Sequence, residues 1–209
     1  MKLWKDAVVS ALEKDPVIKE ELRPILVKGR IKDEESLTDK LRRKHEPEFR
    51  EITPENLFNE IEDAVGVRLV VAQKAHVSRA VTRIRQLAKQ GAWKIVDEVH
   101  YAWHPEEIRE VEREGQKAET KPSAYCSRHF IIIRSDVDVD AEHLVKCELQ
   151  VRTILEEAIF ENDHRIRYNR RHSEVAAKVL ARLAELLETA DRLLADVYGI
   201  AASERDRAE

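Results

Sequence analysis

Two strand-like segments, Tyr125 to Arg134 and Leu144 to Arg152, constrain the fold of this sequence more than any other feature. In the second, Cys147, Leu149 and Val151 alternate with Lys146, Glu148, Gln150 and Arg152, so apolar and polar sets take opposite faces. Val65 to Val71 is a β-branched strand run, Ala92 to Val99 another strand, and residues 25–32 a further one entering at Gly29. Helical spacing fills the intervals. Residues 2–14 place Leu3, Trp4, Ala7, Val8 and Leu12 on one face, and a short helix follows Asp15-Pro16 as far as Leu22. Asp33 or Ser36 opens a charged helix through Lys44, and Thr53-Pro54-Glu55 starts one that ends near Asp63. Further helices cover 75–90, stopped at Gly91, then Ile154 to Tyr168, and 174–198. Residues 104–122 read as a loop or short exposed helix, and Ser203 to Glu209 as a frayed tail. Strands alternating with helices define an α/β (α+β) class, a mixed β-sheet flanked by helices.

Composition narrows the functions. The 209 residues carry 37 Lys+Arg against 41 Asp+Glu, a formal charge of −4, so attraction to nucleic acid has no global source and phosphate binding must be local. Only 5 Gly argues against a Gly-rich dinucleotide fold. Two cysteines, Cys126 and Cys147, are too few for a four-cysteine zinc site and read as buried apolar residues in a reducing compartment. Apolar runs such as Phe130 to Ile133 fall far below the roughly 18–20 residues a membrane span needs. The first residues lack an apolar signal core, so a cytoplasmic protein without membrane contact is expected.

Four segments carry chemistry. From Gly29 to Lys44, the residues Lys32, Ser36, Lys40 and Arg43 recur at helical steps, a cation row starting at a helix N-terminus and suited to polyphosphate. The same pattern also fits a solvated charged face. Asp63 stands just before a strand that contains Arg68, a usual position for a Mg²⁺ carboxylate and equally for ordinary turn chemistry. Tyr125, Ser127 and His129 alternate along one sheet face, an inventory able to stack on and hydrogen-bond a base, or a half-polar strand edge. Glu148, Gln150 and Arg152 set a carboxylate, an amide and a guanidinium in a row, able to bind metal, base edge and phosphate. The following helix places Glu157, Glu161, His164 and Tyr168 on one face.

Taken in order, Arg30-Ile-Lys32 with Ser36 and Lys40, Asp63-Ala-Val-Gly66-Val-Arg68, Tyr125-x-Ser127-x-His129, Glu148-Leu-Gln150-Val-Arg152-Thr153 and Asp163-His164 with Tyr168 resemble the synthetase domain of the RelA/SpoT family, over roughly residues 28–170. The resemblance implies a nucleotidyltransferase-like synthetase fold that transfers the β,γ-pyrophosphate of ATP to the 3′-hydroxyl of GDP or GTP. By position, Arg30 and Arg68 would hold the adenine of ATP, and Lys32, Ser36, Lys40 and Arg43 its phosphates. Asp63 and Glu148 would be catalytic and bind Mg²⁺, with Glu148 placed to take the acceptor proton. Tyr125, His129 and Gln150 would hold the acceptor. Residues 1–27 then form an N-terminal helical segment, 28–170 the synthetase core, and 171–209 a C-terminal helix packing on the core or at an oligomer interface, with the core favoured.

Three positions depart from the family pattern. Lys121-Pro122-Ser123-Ala124 lacks the usual Asn-Gly, Ile159 stands near a usual Trp, and Cys126 replaces a frequent Arg. All three lie on the acceptor side. They keep two alternatives open: a toxin-like pyrophosphokinase acting on tRNA 3′ ends or adenosine nucleotides, with Arg165, Arg167, Arg170 and Arg171 as a basic surface, and an inactive nucleotide-binding module. No His-Asp dipeptide marks a hydrolase domain, and small synthetase-only members of the family are often homo-oligomers.

Overall fold

The computed structural model describes residues 1–44, 57–121, 125–139, 144–168 and 174–207. Its elements run α1 (Lys2–Lys14), a π-helical turn (Val17–Leu22), β1 (Leu26–Ile31), α2 (Glu34–Lys44), α3 (Leu57–Glu60), β2 (Val65–Val71), α4 (Lys74–Lys89), β3 (Lys94–Tyr101), α5 (Pro105–Arg113), β4 (Ala118–Glu119), β5 (Ser127–Ile133), β6 (Cys147–Thr153), α6 (Ile154–Tyr168) and α7 (Glu174–Asp206). Six strands form one mixed sheet in the order β1-β2-β6-β5-β3-β4, flanked by helices. The two-residue β4 pairs in parallel with β3, His100 opposite Ala118 and Tyr101 opposite Glu119.

The chain divides into two compact units: Met1–Leu69 with Thr82–Glu98 and His129–Gln150, and Val70–Val81 with Val99–Arg128 and Val151–Glu209. In the first, α1 buries Trp4, Val8 and Leu12 at helical spacing, while Leu3 and Ala7 face outward, against the sequence expectation. The apolar face is therefore narrower than the composition of α1 suggests. It lies so close to β1 that a Cβ on Gly29 would stand 2.7 Å from Lys5 Cγ and 2.9 Å from Val9 Cγ2, so only glycine fits there. Asp15 caps the π-helical turn through its Oδ1, which accepts the Ile18 N–H at 3.0 Å, and its carboxylate takes Arg83 of α4 in a forked pair with Nη2 at 2.6 Å. Burial opposes the Asp15 charge, but Arg83 and the Ile18 amide outweigh it and hold the carboxyl below the usual range. This pair contributes stability above the ordinary Asp pKa of about 3.9 and loses it as pH falls toward the lower folded value. Asp15→Asn should cost about 3 kcal/mol in urea unfolding at neutral pH, the scale of a broken buried pair. The gap to the parent should close in acid; an equal gap at both pH values would locate the effect elsewhere.

In the second unit, α6 and α7 meet through Ile159, Leu180 and Ala184, with Trp103, Ile166 and Leu187 packed around them. Thr153 and Glu156 form a reciprocal cap at the start of α6: Thr153 N–H donates to Glu156 Oε2 at 2.7 Å, and Glu156 N–H to Thr153 Oγ1 at 3.2 Å.

Several boundaries differ from expectation. Of the loop or short exposed helix expected over 104–122, Pro105–Arg113 forms the short helix: His104 caps α5, accepting the Glu106 N–H, Pro105 occupies its first turn, and Val111 is buried. The closing helix continues through Ser203 to Asp206, where a frayed tail was expected, because nothing in that segment breaks a helix. Within it Val175, Val179, Leu183, Leu186 and Leu193 are exposed, and the buried face is instead Leu180, Ala184, Glu188 and Asp191. The start at Thr53 lies outside the described residues.

Candidate active site

One strand edge and one turn build a charged cluster in the first unit. At the end of β1, Lys32 N–H donates to Ala64 O at 3.0 Å, which sets its side chain beside Asp63. Lys32 Nζ donates to Asp63 Oδ2, and Lys40 Nζ, two turns into α2, donates to Oδ1 at 2.5 Å. Burial works against the Asp63 charge; the Lys40 charge and the bonds from both lysines prevail and hold the carboxyl below its usual range. Lys32, Lys40 and Asp63, assigned to one function on spacing and resemblance, thus touch. Ser36 does not point at them: its N–H and hydroxyl both donate at 2.8 Å to Asp33, which is the cap of α2. Lys32 precedes the helix, so the expected cation row begins on the strand end rather than on the first turn. Arg43 lies in α2 with its side chain outside the described residues.

Arg30, on the exposed side of β1, lies over Gly66 of the neighbouring β2, where a Cβ would come within 3.5 Å of its Cγ and Nε. Arg68 shares the Gly66 face of β2 by strand alternation. Next in the sheet, Glu148 of β6 is gripped from two sides. His129 Nδ1 of β5 lies 2.9 Å from Oε1, and Gln150 Nε2 donates to Oε2 at 2.5 Å. Burial pushes the Glu148 carboxyl up, but the His129 hydrogen bond and charge, the Gln150 amide and the Lys40 charge together bring it down to about 2. Both carboxylates are therefore ionised at neutral pH, and both feel Lys40.

Tyr125 belongs to the second unit and does not continue the strand face of Ser127 and His129, because β5 starts at Ser127. Its ring meets Tyr101 edge-on at 5.4 Å and Phe160 at 6.0 Å. Lys121 Nζ lies over both tyrosines, 3.6 Å from the Tyr101 centroid and 4.8 Å from that of Tyr125. Arg152, read as one of an outward polar row, is fully buried: it donates to Tyr125 Oη at 3.0 Å and to Glu157 Oε2 at 3.2 Å, and it stacks on Phe160. Ser127 is buried and its hydroxyl donates to Val151 O. The solvated-strand reading of β6 is overturned, since Gln150 and Arg152 are as hidden as the apolar residues between them. His164 and Tyr168 have side chains outside the described residues, as do Pro122, Ser123 and Ala124 altogether.

A model of the region found in RelA and SpoT proteins matches residues 29–173. The chain belongs to the RelA/SpoT family. Among characterised relatives, GTP pyrophosphokinase YwaC of Bacillus subtilis (strain 168) is 27% identical over 173 residues, 83% of this chain and 71% of its own. The crystal structure of small alarmone synthetase 1 from Bacillus subtilis superposes with a TM-score of 0.71 at 18% identity, covering 97% of this chain and 94% of that one. The same synthetase bound to its product pppGpp gives a TM-score of 0.71 at 20% identity, over 96% and 94% of the two chains. A GTP pyrophosphokinase family protein from Streptococcus pneumoniae gives 0.70 at 20%, over 96% and 92%. These superpositions establish the fold. Among the described residues, no helix is long and apolar enough to cross a membrane.

Two departures from the RelA/SpoT pattern have structural explanations. Ile159 is buried against Leu180 and Ala184 of α7, and Cys126 is buried beside Lys74, where a second long cation would be crowded. The Lys74 centre itself had no sequence signal. Its ammonium, at the start of α4, meets Glu156 Oε1 at 2.5 Å, Glu188 Oε2 at 3.0 Å and Glu107 Oε1 at 3.4 Å. Cys126 and the carboxylates of Glu107 and Glu188 come within 4.8 Å of one another, but the ammonium supplies the cation there.

Proposed function

We propose that this chain is an ATP:GTP 3′-pyrophosphotransferase, a GTP pyrophosphokinase making the alarmone (p)ppGpp. The observation that carries the proposal is the linked pair of ionised carboxylates, Asp63 under Lys32 and Lys40, and Glu148 between His129 and Gln150, within a RelA/SpoT region. Lys32 and Lys40 bind the ATP phosphates, with Arg43 further along α2, while Ser36 stays in the Asp33 cap. Arg30 and Arg68, on adjacent strands, hold the adenine between them. Tyr125 stacks on the guanine, with His129 and Gln150 on the acceptor side. The 3′-hydroxyl oxygen bonds to the β-phosphorus of ATP, the bridge from that phosphorus to the α-phosphate oxygen breaks, and AMP leaves. The hydroxyl proton passes toward Glu148, whose low pKa weights it more toward holding a cation than toward keeping a proton.

The donor set fits Mg²⁺: two hard, deprotonated oxygen ligands, each now satisfied by cationic or hydrogen-bonding side chains that incoming phosphates can draw away. Asp63 and Glu148 would hold the ion, which when bound neutralises charge developing on the transferred group.

The test supplies ATP labelled at the γ-phosphate and Mg²⁺, with GDP, GTP, ADP, ATP or bulk tRNA in separate reactions. Label is expected on GDP and GTP, and its transfer is expected to stop when the metal is chelated. Label on adenosine nucleotides or tRNA replaces the acceptor, and no transfer to any of them refutes the proposal.

A further inference from the structure

Tyr125 stands in neither strand nor helix, two residues before β5, and is half-buried. A side chain on such a segment has no ladder or helical turn to set its rotamer. Here a hydrogen bond from a distant strand sets it. Arg152 of β6 is fully buried, and its Nη2 donates to Tyr125 Oη at 3.0 Å. The ring is thereby held at both ends, by its own backbone and by the guanidinium. Arg152 is held in turn. Its Nη1 donates to Glu157 Oε2 of α6 at 3.2 Å, and the guanidinium lies over Phe160, 4.3 Å from the ring centroid. Glu157 and Phe160 are three apart on one helix, so α6 offers a carboxylate and an aromatic face to the same planar cation. Phe160 and Tyr101 close on the Tyr125 ring, tilted at 6.0 Å and edge-on at 5.4 Å.

We infer that Arg152 is a positioning residue for the acceptor: it acts through Tyr125, holding that ring in the orientation on which the acceptor base stacks. The inference rests on the reading of Tyr125 as the stacking residue. At 0% exposure Arg152 reaches no ligand, so it serves the acceptor only through what it holds. Its two terminal nitrogens take Glu157 and Tyr125 separately, a fork that the single ammonium of a lysine does not reproduce. Neutralising Glu157 needs a cation of either kind. The second nitrogen, aimed at a phenol on a separate segment, is what a neutralising role leaves unexplained. The Tyr125 hydroxyl is committed to Arg152 as an acceptor, so the ring recognises a base by its face. A face already set in place requires less ordering when the base arrives.

The test measures kcat and the KM values for GDP and ATP in Tyr125→Ala, Tyr125→Phe, Arg152→Lys and the Tyr125→Phe/Arg152→Lys double variant. Titration calorimetry with GDP scores binding apart from transfer, and thermal melts confirm that each variant folds. Tyr125→Ala should weaken GDP about ten- to a hundredfold, the scale of a lost base–aromatic stack. Tyr125→Phe leaves the Arg152–Glu157 pair and the Phe160 contact in place. It should weaken GDP about two- to tenfold, the scale of ordering one side chain on binding, and Arg152→Lys should match it. KM for ATP, and kcat at saturating GDP, should stay within about twofold of the parent. The double variant should be no weaker than the weaker single one, because both changes remove the same contact. Tyr125→Phe decides the matter even if Arg152→Lys does not fold. Unchanged GDP affinity in Tyr125→Phe, an Arg152→Lys effect undiminished in the Tyr125→Phe background, or equal losses for ATP and GDP overturns the positioning role, while Tyr125→Ala still marks the stacking residue. Unchanged GDP affinity in Tyr125→Ala refutes the stacking reading and the inference with it.

Discussion

Glu148→Gln should lower the rate of pyrophosphate transfer by about 10²–10⁴-fold, the range for loss of a positioned proton acceptor, and further if metal binding fails with it. Stability should fall moderately at neutral pH, because, against burial, His129, Gln150 and Lys40 together hold the folded carboxyl well below its ordinary range and the amide forfeits that contribution. The exchange keeps the side-chain volume between His129 and Gln150. One end of the introduced amide still accepts a hydrogen bond. Single-turnover rates and thermal melts on the same preparations check this. Turnover close to the parent's would remove Glu148 from the chemistry, and a large fall in melting temperature would make it a structural residue. Since the Glu148 carboxyl titrates at about 2, it remains ionised across the neutral range, and any acid limb of the parent's pH–rate profile near neutrality belongs to another group.

The largest stability loss is expected for Lys74→Met. Burial alone would strip the charge from this ammonium, yet Glu156 first, then Glu107 and Glu188, raise its pKa well above the ordinary lysine value. Removing the ammonium leaves three inward carboxylates, one of which, Glu107, retains Arg128 at 2.9 Å. A broken buried cluster of this kind costs about 3–5 kcal/mol. Acid should repair part of the damage. Burial already raises the Glu188 carboxyl and brings that of Asp191 up to about 6. Groups with raised folded values favour folding fully below their unfolded pKa and lose that contribution as pH rises through the folded one. In the variant the acids lack their cation, so unfolding free energy should climb as pH drops from neutral toward 5. Adding Glu156→Gln to Lys74→Met should cost less than the two single losses summed. Urea titrations at two pH values test it; a loss no larger than that of a surface Lys→Met, or independent of pH, would contradict the account.

Much of the juxtaposition of Lys40, Asp63, Glu148 and Gln150 was legible because it follows strand and helix spacing. Asp63 directly precedes an unambiguous strand, Glu148 and Gln150 stand two apart in an alternating one, and Lys40 lies two turns into a helix, whereas Lys32, counted with that helix, falls just past the end of β1. Local patterns of that kind survive folding. The reciprocal cap at Thr153 and Glu156 was equally available as a T-x-x-E sequence. What remained hidden depends on contacts distant in sequence. Arg152 looked like one of an outward row, because alternation reports which face a residue takes and not whether that face is covered. In α7 the more apolar stripe, with Val179, Leu183, Leu186 and Leu193, is exposed, and the helix docks through a stripe that begins with Leu180 and Ala184 and ends with two acids, Glu188 and Asp191. Those acids are tolerated inside only because Lys74 and Thr153, some 114 and 38 positions earlier in the chain, meet them.

The position of β1 bears on how the protein behaves when concentrated. It is an outer strand of the sheet, with Lys28 and Arg30 on its exposed side and part of Leu26 and Ile31 open to water. An outer strand with free backbone groups is a template for fibril-like stacking unless something deters it. Two such strands meeting would set Lys28 and Arg30 of one against the same cations of the other. The arginine proposed to grip adenine thereby also guards solubility, so charge-neutral changes at Arg30 that dissect nucleotide binding should be judged alongside the turbidity of the sample.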